Sequence, residues 1–277
     1  MNFDTLENCT LPELVSAFNT AFEGYYIPIS FTEETLAVKL KTEGIDLHLS
    51  AGVFADQKLV GFMLFAGDIY NGRLTTWNGG TGVLPEFRGR RLTQQMYEFI
   101  IPVHKALNYE YTLLEVMEHN TAARKTYANA GLQELRAVDL YKEQSAQRGR
   151  LDHAIRKCAA AALPFDEWND WLPTWQHTQQ SILRGEDVFT AIGYFQHDVL
   201  QGYCVYNSTN GRIIQLAVDP MFRRMGIAES LINAVRADTG KPLSVLNLDA
   251  NATAATELAA KLEFVNVLRQ VEMGMFL

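Results

Sequence analysis

The sequence is poor in basic residues and in long hydrophobic runs. Its 24 lysines and arginines are outnumbered by 32 acidic residues, which gives a formal net charge of −8. A nucleic-acid-binding protein needs a basic face to neutralise phosphates, so we expect no nucleic-acid partner. No apolar run approaches the roughly 18 residues that cross a bilayer. We therefore expect no membrane partner either.

Cysteine is also scarce. Cys9, Cys158 and Cys204 lie far apart and form no C-x-x-C pair. This spacing argues against a disulfide framework and against a zinc site, and no other metal-ligand spacing is present. The first residues, MNFDTLENCTLPEL, contain neither the basic nor the apolar segment of a signal peptide. We expect a reduced, cytoplasmic compartment and no bound metal.

What the sequence does contain is an internal repeat. The hexapeptide VLPEFR at 83–88 recurs 135 positions later as VDPMFR, and NTAA at 120–123 recurs 131 positions later as NATA. A period near 130 is too long for a solenoid, and 277 residues suit two domains. We predict two copies of one domain, at 1–142 and 153–277, joined by a polar linker at 143–152.

Each copy mixes helices and strands. The first half predicts the order α-α-β-β-β-α-β-α-β, with a hairpin turn at 55–58, and the second half repeats it. A helical region is predicted at 165–183, broken at Pro173. In that region Trp168, Trp171 and Trp175 fall on one helical face. Such a stripe belongs either to the core or domain interface or to the wall of a substrate pocket.

A strand-to-helix loop in the second half has the composition of a phosphate site. The segment 223–228 reads RRMGIA. A glycine there lets several backbone N–H groups point at one place, and the following helix adds its positive dipole end. In the first half the same place, 88–93, reads RGRRLT, so Arg91 replaces the glycine. Gly89 and three arginines still favour phosphate binding there.

The segment RRMGIA resembles the (Gln/Arg)-x-x-Gly-x-(Gly/Ala) signature of the GCN5-related N-acetyltransferases (GNATs), which hold the pyrophosphate of acetyl-CoA with it. A second signature of that family, Asn-x-x-Ala-x-x-x-Tyr-x-x-x-Gly, matches Asn120, Ala123, Tyr127 and Gly131. The resemblance covers essentially the whole chain, as two consecutive domains.

The resemblance implies an α/β fold of two tandem GNAT domains. Each has a twisted, mostly antiparallel mixed sheet flanked by helices, with strands four and five splayed around the pantetheine arm. It also implies acetyl-CoA as co-substrate. The residues that it implies for acetyl-CoA binding are Val83, Leu84, Arg88, Gly89, Arg90, Arg91, Leu92, Thr93 and Asn120 in the first half, and Leu216, Ala217, Val218, Arg223, Arg224, Met225, Gly226, Ile227, Ala228 and Asn251 in the second.

Two residues of the first half could carry the chemistry. In the family the motif tyrosine sits near the thioester sulfur, and a phenol ordinarily has a pKa near 10. Tyr127 could therefore protonate the departing thiolate. Glu115, in the apolar strand sequence LLEV, could be the general base or only a salt-bridged glutamate. In the second half Glu115 corresponds to Leu246, and Tyr127 to Leu258 or Ala259, depending on the phase of the helix.

These residues predict transfer of an acetyl group from acetyl-CoA to a primary amine of a small molecule or peptide, in the first domain, by direct attack in a ternary complex. Tyr25 and Tyr26 fall where the family builds its acceptor pocket. Three alternatives stay open: catalysis in the second domain with the first as scaffold, a non-catalytic acyl-CoA-binding regulatory protein, and transfer of a longer acyl or aminoacyl group. A monomer and a homodimer are both compatible with the sequence.

Overall fold

The computed structural model describes residues 1–24 and 29–277. Tight hairpin turns set the register of its strands. Asp56 and Gln57 have φ values of 48° and 67°, and His197 and Asp198 have 48° and 61°. Two successive residues with positive φ form the type I′ turn, whose twist matches that of the strands it joins. The predicted hairpin turn at 55–58 is confirmed.

The first compact unit, unit 1, consists of residues 1–135 and 271–277. Its strands are β1 (Asn2–Thr5), β2 (Ala51–Ala55), β3 (Lys58–Tyr70), β4 (Arg73–Val83), β5 (Tyr111–Met117) and the end of β12 (Val265–Phe276). They lie side by side in that order. The pairs from β1 to β4 are antiparallel, whereas β4 and β5 are parallel.

The helices of unit 1 cover the sheet with apolar faces. They are α1 (Leu11–Ala21), α2 (Glu33–Glu43), α3 (Leu92–Ala106) and α4 (Thr121–Asn129). Helix α1 begins with a capping box, in which Thr10 and Glu13 satisfy each other's backbone amides. Leu14, Phe18 and Ala21 of α1 are buried, and this spacing places them on one face of the helix. The two helices predicted at the start of the first half are confirmed.

The second compact unit, unit 2, consists of residues 136–270. Its elements are β6 (Gln133–Lys142), β7 (Ile155–Lys157), α5 (Phe165–Trp168), α6 (Gln179–Arg184), β8 (Thr190–Gln196), β9 (Val199–Asn207), β10 (Arg212–Val218), α7 (Ile227–Thr239), β11 (Ser244–Asp249) and α8 (Thr253–Lys261). The strands lie in the order β6, β11, β10, β9, β8, β7. Helices α7 and α8 bury one face each in the core of this unit.

The two compact units do not coincide with the two halves of the sequence repeat, because part of the last strand of each half belongs to the other unit. Residues 136–142 of β6 lie in unit 2, where β6 pairs with β11, and residues 271–277 lie in unit 1. Asp139 of β6 forms a bidentate ion pair with Arg269 within unit 2, at 2.7 and 2.9 Å. The boundaries 1–142, 143–152 and 153–277 therefore describe the sequence repeat, and as domain limits they stay a prediction.

The fold is a mixed α/β fold, as the sequence predicts. The helical region predicted at 165–183 with a break at Pro173 forms as short pieces: α5, a 3₁₀ helix at Trp175–His177, and α6, with residues 169–174 not helical. In the described part of the chain, no helix has the length and apolar character needed to cross a membrane.

Candidate active site

In both units two parallel strands separate partway along their length. Strands β4 and β5 pair from Thr75–Tyr111 to Asn78–Leu114, and β4 then continues to Val83 without its partner. Strands β10 and β11 pair only at Arg212–Ser244 and Ile213–Val245. Beyond these points the backbone groups that face the gap have no strand to pair with, so each gap is a cleft that can bind a ligand through the main chain.

A β-bulge lies at the start of each cleft. The register between β3 and β4 shifts at Gly79, and that between β9 and β10 shifts at Ile214, which is the same repeat position. A bulge bends its strand away from the neighbour. The bulges therefore explain why the strands part where they do.

The ends of β4 and β10 turn one amide toward the cleft. Leu84 donates its N–H to Val60 at 2.9 Å, and Asp219 donates to Gln201 at 3.0 Å. Because successive residues of a strand point to opposite edges, the N–H groups of Val83 and Val218 face away from that partner strand. Of the predicted pair Val83 and Leu84, only Val83 has its amide directed at the cleft.

The loops that follow these strands have the same backbone shape. In unit 1 the left-handed residues are Gly89 (φ 74°) and Arg91 (φ 57°), and in unit 2 they are Arg224 (φ 64°) and Gly226 (φ 85°). Glycine and arginine have exchanged places, yet both loops keep two left-handed positions before helix α3 or α7. A Cβ built at Gly89 or Gly226 meets no atom within 4 Å, so both loops have open space in front of them.

The first arginine of each loop holds the loop to its strand. Arg88 donates to the carbonyl of Val83 at 3.2 Å and to that of Ala21 at 2.8 Å. Arg223 donates to the carbonyl of Val218 at 3.1 Å and forms a 2.6 Å ion pair with Asp170. These arginines therefore fix the loop geometry, which leaves the exposed Arg90, Arg91 and Arg224 as the cations that face solvent.

Unit 2 encloses a cavity of about 950 Å³ around its cleft. This volume falls in the range of small-molecule and cofactor sites. The cavity takes in the end of β10, the loop after it, the start of α7, part of β11 and most of α8. Of the residues predicted to bind the cofactor in this half, Leu216, Ala217, Val218, Arg223, Arg224, Gly226, Ile227, Ala228 and Asn251 line it.

One inserted residue changes how the two halves correspond. The pairing of β4 with β5 in unit 1 and of β10 with β11 in unit 2 shows that Leu246 is the structural counterpart of Glu115. Asn247 follows with φ 54°, and the register between β11 and β6 shifts there. From this bulge on, equivalent residues are 132 apart, because the amides of Leu132 and Phe264 donate to Tyr127 and Ala259 respectively.

This shift settles the phase of the helices. Ala259 is the counterpart of Tyr127, and it is 7 % exposed. Asn120 caps α4 by accepting from Ala123 at 3.1 Å, whereas the equivalent cap of α8 is Ala252. The match of Asn251 to Asn120 is therefore wrong as a structural equivalence. A role for Asn251 in cofactor binding stays a prediction.

The two candidate catalytic residues of unit 1 lie near the start of its cleft. Glu115 follows Leu114, the last residue of β5 that pairs with β4, and its Oε1 is buried. The half-buried Tyr127 meets Tyr97 edge-on, with ring centroids 6.0 Å apart. The Tyr97 hydroxyl accepts a 3.3 Å hydrogen bond from Asn78, the last paired residue of β4. Burial, and then the nearby Tyr127, raise the pKa of Tyr97 well above its usual value.

The structure also shows one wall of the unit 2 cavity that the sequence pattern only suggested. Trp168, Trp171, Pro173 and His177 line the unit 2 cavity from the segment before α6, although this segment is not one helix. Trp175 is fully buried. The tryptophan spacing was the only sequence signal for this wall. Tyr25 and Tyr26, the predicted acceptor residues, lie outside the described residues.

Comparison with known proteins identifies relatives along the whole chain. The sequence model of the acetyltransferase (GNAT) family matches residues 11–132 and 155–264. A tandem GNAT protein from the clavulanic acid biosynthesis pathway is 14 % identical with a TM-score of 0.74, and the match covers 99 % of this chain and 98 % of that one. A GCN5-related N-acetyltransferase from Sphaerobacter thermophilus is 16 % identical with a TM-score of 0.71, covering 99 % and 95 %. No curated protein matches the sequence.

Proposed function

Because the chain belongs to the acetyltransferase (GNAT) family, with one family segment in each half, we propose that it transfers an acetyl group from acetyl-CoA to a primary amine of a small molecule or peptide. The observation that carries this proposal is that unit 1 combines a splayed cleft, a loop with two left-handed residues, and Tyr127 against Tyr97, whose hydroxyl bonds Asn78 where the strands part. Unit 2 has the first two features and has lost the third.

The residues that would hold acetyl-CoA fit its parts. The backbone amides of the loops around Gly89 and Gly226, together with the N-termini of α3 and α7, offer donors and a positive dipole end to a diphosphate. The N–H groups of Val83 and Val218 face the clefts in which the pantetheine arm would lie. Arg90, Arg91 and Arg224 are exposed at the loops and add positive charge.

In unit 1 the proposed reaction needs three proton transfers, two from the acceptor nitrogen and one to the thiolate. Glu115 takes a proton from the ammonium of the acceptor, directly or through a water molecule, which frees the amine to attack the thioester carbonyl. The Val83 N–H stabilises the negative charge on the carbonyl oxygen. The amine nitrogen adds to the carbonyl carbon, the C–S bond then breaks, and Tyr127 gives its proton to the departing thiolate. The nitrogen loses its second proton to the Tyr127 oxygen or to water, which leaves the neutral amide. Holding both substrates together supplies much of the rate.

Isothermal titration of acetyl-CoA into the whole chain tests this proposal. We expect two sites in the wild type, one of them lost in Gly226→Asp, because a carboxylate there repels the diphosphate. Gly226→Asn controls for shape without charge. Gly240→Asn, at the other end of α7, also lies at positive φ with open space, and it controls for backbone strain. Absence of any acetyl-CoA binding would refute the proposed function.

A second candidate places catalysis in unit 2, with unit 1 as scaffold. The cavity of about 950 Å³ around Gly226 favours it. The two candidates differ in turnover: Gly226→Asp abolishes acetyl transfer if unit 2 is the catalyst and preserves it if unit 1 is. Binding without turnover in every variant and with every amine tested would indicate a regulatory acyl-CoA-binding protein instead.

The remaining expectations follow from composition. We propose that the protein acts in the cytoplasm, as a monomer or homodimer, without a nucleic-acid or membrane partner. The excess of acidic residues suits a cationic acceptor.

A further inference from the structure

The unit 2 cavity has aliphatic side chains at the positions that carry the chemistry in unit 1. Leu246 replaces Glu115, and Ala259 replaces Tyr127, with Leu258 beside it. All three line the cavity. None of them can donate or accept a proton. This end of the cavity therefore offers a surface suited to a hydrocarbon chain.

The wall formed by the segment before α6 and by β10 also carries apolar side chains. Trp168, Trp171 and Ile214 contribute apolar surface there. Gln215 donates to the carbonyl of His177 and accepts from the Tyr203 hydroxyl at 3.1 Å, so its amide is engaged within the wall.

The two titratable groups of that wall do not suit an amine acceptor. Burial, and then the charge of Arg212, lower the pKa of His177 to about 3, which leaves its imidazole neutral and a weak base. Asp170 is paired with Arg223 at 2.6 Å.

Two further carboxylates line the cavity, and each also lies beside a basic side chain: Glu229 beside Lys261 at 2.6 Å and Glu257 beside Arg224 at 3.8 Å. An ammonium group entering this space would compete with these cations, whereas an apolar chain would lose nothing by leaving water.

We propose that unit 2 binds an acyl-CoA whose acyl chain is longer than acetyl, with the chain against Leu246 and Leu258, and that it holds this ligand without transferring the acyl group. The inference rests on the proposed function, because it uses the same loop at Gly226 for the diphosphate. It adds the class of acyl group to that site. Unit 1 keeps acetyl transfer in this scheme.

Titration of CoA, acetyl-CoA and octanoyl-CoA into the full chain tests the inference. Each buried methylene strengthens binding about fourfold, so we expect octanoyl-CoA to bind one site at least about tenfold more tightly than CoA. Leu258→Tyr fills the space of the chain and should remove this advantage while leaving the affinity for CoA within about twofold. Ala260→Tyr adds the same side chain to α8 at an exposed position off the cavity, and it should keep the advantage.

The outcomes separate this inference from the proposed function. Equal affinities for the three ligands in the wild type, with CoA and acetyl-CoA bound, would overturn the inference and leave the proposed function standing. So would an octanoyl advantage that survives Leu258→Tyr. If Leu258→Tyr does not fold, Leu246→Gln introduces a polar group at the same end of the cavity and should also weaken octanoyl-CoA selectively. Failure of all three ligands to bind would overturn both proposals.

Discussion

At the scale of single residues, the two halves differ most by one inserted asparagine. Asn247 is buried and left-handed, and its side-chain amide donates to Thr174 at 3.4 Å and Gln176 at 3.1 Å. The insertion moves α8 by one position relative to β11. As a result the position of Tyr127 is taken in unit 2 by the small buried Ala259, so unit 1 alone has a tyrosine at this position.

The first prediction concerns Tyr127. We expect Tyr127→Phe to lower the rate of acetyl transfer about 100-fold or more, which is the usual contribution of a general acid. The ring remains, so its contact with Tyr97 and the affinity for acetyl-CoA should hardly change. Single-turnover kinetics with titration of acetyl-CoA measures both quantities. Full turnover in this variant would assign the acid role elsewhere.

The second prediction concerns His177 and pH. Its pKa in the folded protein, about 3, lies below the ordinary 6.5 of a free histidine. The unfolded chain therefore binds the extra proton first, and stability falls as the pH drops from 6.5 toward 3, by up to about 1.4 kcal/mol per pH unit. Urea unfolding between pH 6.5 and 5 should show this slope in tryptophan fluorescence, because three of the four tryptophans lie in unit 2.

Two histidine substitutions test whether His177 causes this dependence of stability on pH. His177→Gln should flatten the slope, whatever its effect on absolute stability. His153→Gln changes an exposed histidine of the same unit and should leave the slope unchanged. A slope that persists in His177→Gln would show that another group is responsible.

At the scale of the element, the loop after β4 or β10 illustrates how one backbone shape tolerates different sequences. The family signature requires glycine at the position of Arg91, but the structure places Arg91 in the left-handed region at a cost that a non-glycine residue can bear. Gly89 is left-handed two residues earlier. A motif that records residue types therefore misses a loop whose dihedral angles are preserved.

The third prediction separates two arginines of the second loop. Arg223→Gln removes the ties to Val218 and Asp170, so we expect a lower melting temperature and weaker acetyl-CoA binding. Arg224→Gln removes the same charge from a side chain that is 87 % exposed, so only binding and its salt dependence should change. Thermal denaturation and titration at two salt concentrations measure these effects. Equal loss of stability in both variants would contradict the positional role of Arg223.

At the scale of the whole molecule, the compact units do not correspond to continuous halves of the sequence. Residues 271–277 complete unit 1, where Val271 and Met273 belong to the hydrophobic core at 6 % and 1 % exposure. The repeat in the sequence ends each domain with its own last strand. Spatial contact assigns that segment to the unit formed by the first 135 residues.

The fourth prediction follows from this assignment. Removal of residues 271–277 takes two buried side chains from the core of unit 1, each worth about 1.5–3 kcal/mol. Hydrogen exchange should accelerate in β4 and β5 and stay slow in β8 and β9. Val267→Ser, on the same strand but 46 % exposed, should change neither set of strands. Faster exchange confined to β8 and β9 after the truncation would contradict the division into units.

Much of the site could be predicted from the sequence, because it depends on short spacings. The strand-to-helix loops at 88–93 and 223–228, the helix that carries Tyr127, and the hairpin at 55–58 are local features. Backbone dihedral preferences and helical periodicity fix such features within about ten residues. The internal repeat then gave the matching positions in the second half and showed that no tyrosine matches Tyr127 and no glutamate matches Glu115 there.

The duplicated mixed α/β fold, the two arginine- and glycine-containing loops, and the lack of Tyr127 and Glu115 counterparts in the second half were therefore readable in the sequence. The tertiary structure was needed to show that Ala259 replaces Tyr127, that Trp168 and Trp171 line the unit 2 cavity, and that the end of the last strand belongs to unit 1. The physical reason is distance along the chain. Bulges, cavity walls and strand neighbours arise from pairing between segments tens to hundreds of residues apart, and local propensity carries no record of that pairing.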